Sequence, residues 1–80
     1  PLSVFRTIIL LASFSGGTCR PLRFAWNGRT YKVDRLIARW IDRAGPGADL
    51  HFSVQVGDET YHLHLDTAGV QWWLDKVIAE

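Results

Sequence analysis

An Asn-Gly pair lies between two runs of alternating apolar and polar residues, at positions 27 and 28. A two-residue type I′ turn needs a positive φ at both central residues, and Asn-Gly accepts this readily. The pattern therefore predicts a β-hairpin with its turn at Asn27-Gly28. The pairs expected on the core face are Trp26 with Arg29, Phe24 with Tyr31, and Leu22 with Val33. The pairs expected on the outer face are Ala25 with Thr30, Arg23 with Lys32, and Pro21 with Asp34.

Two later segments, residues 50–56 and 61–66, alternate strictly and predict a second hairpin. We expect a four-residue turn between them, Gly57-Asp58-Glu59-Thr60. The buried pairs would be Val56 with Tyr61, Val54 with Leu63, and Phe52 with Leu65. The exposed pairs would be Gln55 with His62, Ser53 with His64, and His51 with Asp66. Residues 70–78 predict a last strand with Trp72 and Leu74 inward, Trp73 outward, and a bulge at Val77-Ile78.

The start of the chain is its most hydrophobic run, residues 4–14, and its Val, Phe, Thr and Ile residues favour a first strand. The run also has the length of a signal-peptide core, with Arg6 as its positive end, although no clear cleavage pattern follows. It is far shorter than the roughly 20 apolar residues of a membrane span. Residues 1–19 are therefore an N-terminal strand or a signal-like or misread segment. Residues 20–80 are expected to form a single small β-rich domain.

After Val33 the apolar residues recur at spacings of three and four, which predicts a short helix over residues 34–44. Asp34 would cap its start and Gly45 would end it, and Arg35, Arg39 and Arg43 would line one face. A bent strand with a bulge would also explain the adjacent Leu36-Ile37. The expected fold is mainly β: a small antiparallel meander or open barrel of about five strands, with this helix or bent strand.

The net charge of +1 conceals an asymmetry between the two halves of the chain. Residues 1–43 carry eight basic and two acidic residues, whereas residues 44–80 carry one basic and six acidic residues. Such an asymmetry indicates either an anionic partner for the basic half or attraction between the halves in the fold. The single cysteine, Cys19, cannot form an internal disulfide and implies no oxidising compartment.

The basic residues concentrate on the first predicted hairpin, where Arg23 and Lys32 face each other. Like charges at such a position cost stability, which suggests that they serve a purpose. Small open barrels bind single-stranded nucleic acid through a basic groove and exposed aromatic side chains. The residues predicted to bind nucleic acid are Arg20, Arg23, Arg29, Lys32 and Trp73.

A second candidate site is the pair His62 and His64, with His51 across the hairpin. Residues i and i+2 of a strand share a face, so these imidazoles could bind one metal ion, with Asp66 as a fourth ligand. The alternative is that all of them are solvated polar residues of the outer face. Since no nucleophile–base pair, phosphate loop or carboxylate pair can be placed, we expect no enzymatic activity and no cofactor.

Several core and turn residues together resemble a family of small bacterial domains of unknown function, the domain of unknown function 6504 type. The resemblance covers about residues 20–80. It rests on the patterns Arg20-Pro21-x-Arg23-Phe24-x-Trp26-x-Gly28-Arg29-x-Tyr31-x-Val33, Leu36-Ile37-x-x-Trp40, Tyr61-x-Leu63 and Trp72-x-Leu74-x-x-Val77. It implies a cytoplasmic protein, and some members are encoded beside Y-family translesion polymerases. No catalytic residue carries over from the family.

We therefore expect a cytoplasmic, non-enzymatic interaction module that is accessory to a larger bacterial, DNA-repair-associated protein. Its expected partner is another protein. The alternative is a small basic barrel that binds nucleic acid through the Arg23/Lys32 face. No membrane partner is expected, and the oligomeric state stays open.

Overall fold

Two-residue turns with positive φ set the register of the two strands that each turn joins. In the computed structural model, which describes residues 2–79, Asn27 and Gly28 have φ of 54° and 76°. The predicted register follows from this turn, with Trp26 opposite Arg29, Phe24 opposite Tyr31 and Arg23 opposite Lys32. Gly16 and Gly17, with φ of 57° and 77°, form a second such turn, between β1 and β2. The first predicted hairpin is thus confirmed between Arg23 and Lys32, whereas the predicted pairs of Leu22 with Val33 and of Pro21 with Asp34 are not part of the strand pairing.

Residues 2–79 form seven strands rather than the predicted number of about five. Their bounds are β1 Leu2–Ser15, β2 Thr18–Trp26, β3 Arg29–Lys32, β4 Arg35–Asp42, β5 Asp49–Val56, β6 Glu59–Asp66 and β7 Gln71–Ala79. They form one antiparallel sheet in the order β3-β2-β1-β7-β6-β5-β4, which curls into a half-barrel. The mainly β, antiparallel fold class is confirmed, and residues 2–79 contain no helix.

Of the two alternatives predicted for residues 34–44, the helix is wrong and the bent strand with a bulge is confirmed, because the segment forms strand β4. Its register with β5 shifts between Leu36 and Ala38, so Ile37 is an extra residue that bulges from the strand. A bulge places two apolar residues side by side and thereby imitates helical spacing. The predicted arginine stripe is lost with the helix, since Arg35 bonds to Gln55 whereas Arg39 pairs with core residue Phe52. Residues 2–79 contain no helix long and apolar enough to cross a membrane.

The turn between β5 and β6 has two residues, Gly57-Asp58, rather than four. Gly57 has a φ of 59°, as the first central position of a type II′ turn requires. The shorter turn moves the predicted register by two residues, so Val54 lies opposite Tyr61 and Phe52 opposite Leu63. A shift of two leaves every residue on its predicted face. It nevertheless changes the pairs on the outer face, where His51 now lies directly opposite His64.

A second bulge, at Leu22 in β2, corrects the predicted inward position of that residue. Leu11 pairs with Arg23 but the next residue, Ala12, pairs with Pro21. Leu22 is consequently 39% exposed, and Pro21, which was predicted on the outer face, is buried. The predicted bulge at Val77-Ile78 also lies elsewhere, at Asp75, because Leu63 pairs with Leu74 while His62 pairs with Lys76.

Strand β1 joins the two halves of the sheet. Its first half, from Leu2 to Ile8, pairs with β7, and its second half, from Ile9 to Ser15, pairs with β2. This agrees with the predicted first strand, and the terminal residues 1 and 80 of the two predicted segments lie outside the described residues. The buried core comprises Ile8, Cys19, Phe24, Phe52, Val54, Tyr61, Leu63, Leu65, Leu74 and Val77.

Aromatic contacts across the concave face show how far the sheet curls. The ring of Tyr61 on β6 lies 5.3 Å from Phe24 on β2 and 5.4 Å from Tyr31 on β3. These strands are not neighbours in the sheet, so their rings meet only because the sheet bends. The corner at Val33-Asp34 joins the two sheet edges, since Val33 N donates to Leu22 O at 2.9 Å and Asp34 N donates to Gln55 O at 2.8 Å.

Candidate functional site

Four basic residues of the predicted nucleic-acid set lie on the β2–β3 hairpin and are exposed. Arg23 is directly opposite Lys32, and Arg29 flanks the turn. Arg20 is three residues from Arg23, a spacing that normally puts residues on opposite faces of a strand. The bulge at Leu22 shifts the alternation of faces by one residue, so Arg20 and Arg23 both lie on the outer face. We call Arg20, Arg23 and Lys32 the basic face; Arg29, opposite Trp26, extends from the other face of the hairpin beside the turn and is exposed there rather than part of the core as predicted.

These cations are not neutralised within the described part of the chain. Between residues 2 and 79 no lysine or arginine nitrogen lies within 4.0 Å of a carboxylate oxygen, and the one basic side chain that does so is the His64 imidazole, beside Asp75. Carboxylates inside the fold therefore do not neutralise the arginine and lysine side chains of the basic half. Cation side chains left free in this way remain available for an external anion.

Trp73, the fifth residue of that set, lies apart from the basic face. Trp73 pairs with Thr7 on β1, whereas Arg23 pairs with Leu11 on the other edge of β1. The two side chains are therefore separated by one intervening strand and by four residues along it, about 13 Å in the strand direction alone. Trp73 is half-buried and stacks on His64, with ring centroids 6.1 Å apart.

The outer face of β4 to β7 carries a row of four aromatic rings in direct cross-strand register. Trp40 lies opposite His51, His51 opposite His64, and His64 opposite Trp73. The ring centroids are 5.2, 5.1 and 6.1 Å apart, with angles of 9°, 28° and 7° between the planes. We call Trp40, His51, His64 and Trp73 the aromatic ladder.

Asp75 fixes the orientation of one imidazole of the ladder. Nδ1 of His64 lies 2.8 Å from both carboxylate oxygens of Asp75. The bulge in β7 places Asp75 beside His64. A carboxylate in this position sets the tautomer and orientation of a histidine ring.

The other two residues of the predicted metal set have different surroundings. His62 stands one row away, opposite Ser53 and Lys76, and its Nε2 lies 3.4 Å from Ser53 Oγ. Its Nδ1 is buried and has no hydrogen-bond partner among residues 2–79. Burial, followed by the charge of Lys76, lowers the pKa of His62. Asp66, the proposed fourth ligand, accepts hydrogen bonds from the backbone of Ala68 and Gly69 and so caps the turn before β7. The structure therefore places His51 and His64 together with Asp75.

A groove separates the edges of β2 and β4. β2 pairs with β3 only from Arg23 onward, and β4 pairs only with β5. Residues 18–21 of β2 and 36–41 of β4, which have no strand partner on this side among residues 2–79, line the same cavities from opposite sides. We call this groove the β2–β4 seam. It holds a cavity of about 550 Å³ lined by Ser13, Ser15, Thr18, Arg20, Leu36, Ile37, Ala38 and Arg39.

The two ends of the seam differ. One end is closed by the Val33-Asp34 corner, where a cavity of about 190 Å³ remains. The other opens beside Trp40, which is 42% exposed, into a cavity of about 410 Å³. Cys19 lies in the wall there. Burial raises the pKa of its thiol, and the charge of Arg39 opposes this only in part, so the thiol is a weak nucleophile at neutral pH.

Sequence reasoning missed Trp40 and Asp75 as members of this outer face. Trp40 was assigned to a helix, and Asp75 reaches His64 through a bulge that has no distinct sequence signal. The available signal was Trp73-x-Asp75, since residues two apart in a strand share a face. The correct placement also depends on the register of β5 against β6, which the two-residue turn sets.

Comparison of the chain with known protein families, with curated proteins and with solved structures finds no match. The resemblance to the small bacterial domain family therefore stays a prediction. The basic face, the aromatic ladder and the β2–β4 seam are the features of the molecule that indicate a function.

Proposed function

We propose that this protein is a non-enzymatic interaction module whose partner is a protein segment that binds in the β2–β4 seam as an added strand. The observation that carries the proposal is the pair of unpaired strand edges that line the seam from opposite sides. Exposed edges present rows of free N–H and C=O groups that an extended peptide can use. An added strand here would contact both edges and close the half-barrel.

The side chains along the seam indicate an acidic partner segment. Arg20 and Arg39 line its central cavity, and Arg35 lines the closed end beside Asp34. Asp34 already accepts a hydrogen bond from Gly57 N, so positive charge dominates the groove. Ile37 and Trp40 supply exposed apolar surface, and tryptophan and arginine dominate the binding energy of protein interfaces.

The proposal is tested with a fluorescein-labelled hexapeptide that alternates valine with glutamate. We expect its fluorescence anisotropy to rise with protein concentration, and a matched valine–lysine peptide to bind about tenfold or more weakly. Arg20→Glu and Arg39→Glu should weaken binding of the glutamate peptide. Arg29→Glu, at the hairpin turn outside the seam, is the matched control and should not.

Strand addition requires backbone hydrogen bonds between the peptide and the protein, whereas attraction between charges does not. The same peptide N-methylated at alternate residues keeps its charge but loses half of its backbone donors, so it should lose binding. Amide protons of residues 36–41 should also exchange more slowly in the complex. If the N-methylated peptide binds as well as its parent, or if exchange along β4 is unchanged, the strand-addition proposal is wrong.

A second candidate function, nucleic-acid binding, is favoured by the basic face. Four exposed cations lie on one hairpin, and none of them pairs with a carboxylate within residues 2–79. Phosphate contacts release counterions, so the logarithm of the affinity should fall linearly with the logarithm of the salt concentration. Anisotropy with labelled single-stranded and duplex DNA measures this slope.

Arg23→Ala and Lys32→Ala should each reduce that slope by about one unit. Arg6→Ala removes the same charge from β1, outside the basic face, and is the matched control. A slope that responds equally to Arg6→Ala and Arg23→Ala would indicate attraction by net charge and would exclude a defined site on the hairpin. The same variants bind the acidic peptide normally if the seam is a separate site.

A further inference from the structure

The central histidines of the aromatic ladder and Asp75 bring three potential metal ligands together. One ligand atom from each of His51, His64 and Asp75 lies within 4.8 Å of the other two. All three side chains are half-buried, so an ion between them would be partly shielded and still reachable from solvent. This set differs from the one that the sequence predicts, which contains His62 and lacks Asp75.

The separations suit a small divalent ion after minor rotation of the side chains. Zinc binds imidazole nitrogens and carboxylate oxygens at about 2.0–2.2 Å, which places neighbouring ligands of a tetrahedral site about 3.3 Å apart. His64 Nδ1 and Asp75 Oδ2 are 2.8 Å apart and must separate slightly. The ligand atom of His51 must approach those of His64 and Asp75 by about 1.5 Å at most. Rotation about χ1 and χ2 can supply this movement.

The ladder restricts these rotations without blocking the ligand atoms. Trp40 stacks on the outer face of the His51 ring, and Trp73 stacks on the outer face of the His64 ring. Stacking occupies the faces of an imidazole, whereas its nitrogen lone pairs point from the ring edges in the ring plane. The cross-strand pairing of His51 with His64 keeps one ligand atom of each within 4.8 Å of the other. Because these two rings stack on each other at 28°, at least one of them must turn about χ2 to direct its nitrogen at the ion.

We infer that His51, His64 and Asp75 form a binding site for a divalent transition metal such as Zn²⁺, with water in the remaining coordination positions. Two imidazoles and one carboxylate are a donor set that suits such ions. His62 is not a ligand, because it stands in the next cross-strand row beside Ser53 and Lys76. This inference is independent of strand addition in the β2–β4 seam.

The test is a titration of the purified protein with Co²⁺, followed by its visible absorption and by displacement with Zn²⁺. His51→Gln and His64→Gln should each weaken Co²⁺ binding by about tenfold or more, and Asp75→Asn should weaken it measurably. His62→Gln is the matched control on the same face and should bind Co²⁺ as the wild type does. Far-UV circular dichroism verifies the fold of each variant.

A measurement on the wild type does not depend on any variant. In long-range ¹H–¹⁵N spectra, Zn²⁺ should shift the ring nitrogens of His51 and His64 and leave those of His62 nearly unchanged. Absence of these shifts at millimolar Zn²⁺ would overturn the inference. So would a loss of Co²⁺ affinity in His62→Gln equal to that in His64→Gln, or wild-type affinity in Asp75→Asn.

Discussion

At the scale of single residues, Tyr61 links the core to the pH of the solution. Its ring is buried, and its hydroxyl donates a hydrogen bond to Glu59 at 3.3 Å. Burial, assisted by the charge of Glu59, raises the pKa of Tyr61 to about 12. An unfolded tyrosine has a pKa of about 10, so the unfolded state loses this proton first as the pH rises. The stabilising contribution is therefore complete below about pH 10 and is lost between about pH 10 and 12.

We predict that Tyr61→Phe flattens the alkaline part of the stability curve. Two pKa units correspond to about 2–3 kcal/mol, which is the largest loss that ionisation of Tyr61 can cause. Urea unfolding followed by tryptophan fluorescence from pH 8 to 11.5 gives the free energy of unfolding. Parallel curves for wild type and Tyr61→Phe would contradict the prediction.

The residue scale also shows what the sequence could reveal about the candidate site. The like-charge pair of Arg23 with Lys32 was predictable, because Asn27-Gly28 sets that register through its own backbone preference. The pair of His51 with His64 was not predicted, since a two-residue and a four-residue turn place the same side chains on the same faces. Only the type II′ conformation at Gly57 decides between these registers, and the local sequence allows both.

At the scale of elements, the β5–β6 hairpin depends on Gly57. Its positive φ of 59° is costly for a residue with a Cβ, although a Cβ there would meet no atom within 4 Å. The penalty for Gly57→Ala is therefore purely a backbone term of about 1–2 kcal/mol. Gly45→Ala is the matched control, because Gly45 has no positive φ and only one distant neighbour, at 3.9 Å.

We predict that Gly57→Ala lowers the free energy of unfolding by about 1–2 kcal/mol, whereas Gly45→Ala changes it by no more than about 0.5 kcal/mol or raises it slightly. Chemical denaturation of the two variants in parallel measures this difference. Equal effects at the two positions would mean that the turn conformation does not limit stability. Because the turn sets the ladder register, Gly57→Ala should also disturb the His51 and His64 ring signals.

Element β4 explains why a helix was predicted where a strand forms. Leu36, Ile37, Trp40 and Ile41 have helical spacing, but the bulge at Ile37 changes the phase of the strand at that point. The result is a strand that buries Leu36 only partly and leaves Trp40 on the outer face. Alternation in β5 and β6 is uninterrupted, and those strands were predicted correctly. Local periodicity is thus a reliable guide to strands only where no bulge interrupts the pairing between neighbouring strands.

At the scale of the whole molecule, the curl of the sheet results from contacts that have no local sequence signal. β1 pairs with β7, more than sixty residues later, and Tyr61 meets Phe24 and Tyr31 across the concave face. Alternation predicts which face of each strand is buried, but it does not specify which distant strand becomes its neighbour. The open seam between β2 and β4 is a consequence of this global arrangement and could not be read from either strand alone.

The Val33-Asp34 corner holds the two edges of the half-barrel together, and Asp34 is its central residue. Its backbone N–H donates to Gln55 O, and its carboxylate accepts a bond from Gly57 N at 2.7 Å. β4 has a strand neighbour on one side only, so this corner is its second attachment. Removing the carboxylate in Asp34→Ala should cost about 1–1.5 kcal/mol, since bonds to charged groups are among the stronger ones and this one is exposed.

We expect the loss to be concentrated in β4. In Asp34→Ala, amide protons of residues 36–41 should exchange about tenfold faster, the rate change that matches about 1.4 kcal/mol for local opening, while those of β6 change less. Asp42→Ala is the matched control, because Asp42 accepts a bond only from the nearby Ala44 N, and it should leave β4 exchange unchanged. A uniform increase of the amide exchange rates across all strands would contradict this prediction. It would show that the corner contributes to global stability alone and that β4 does not open separately.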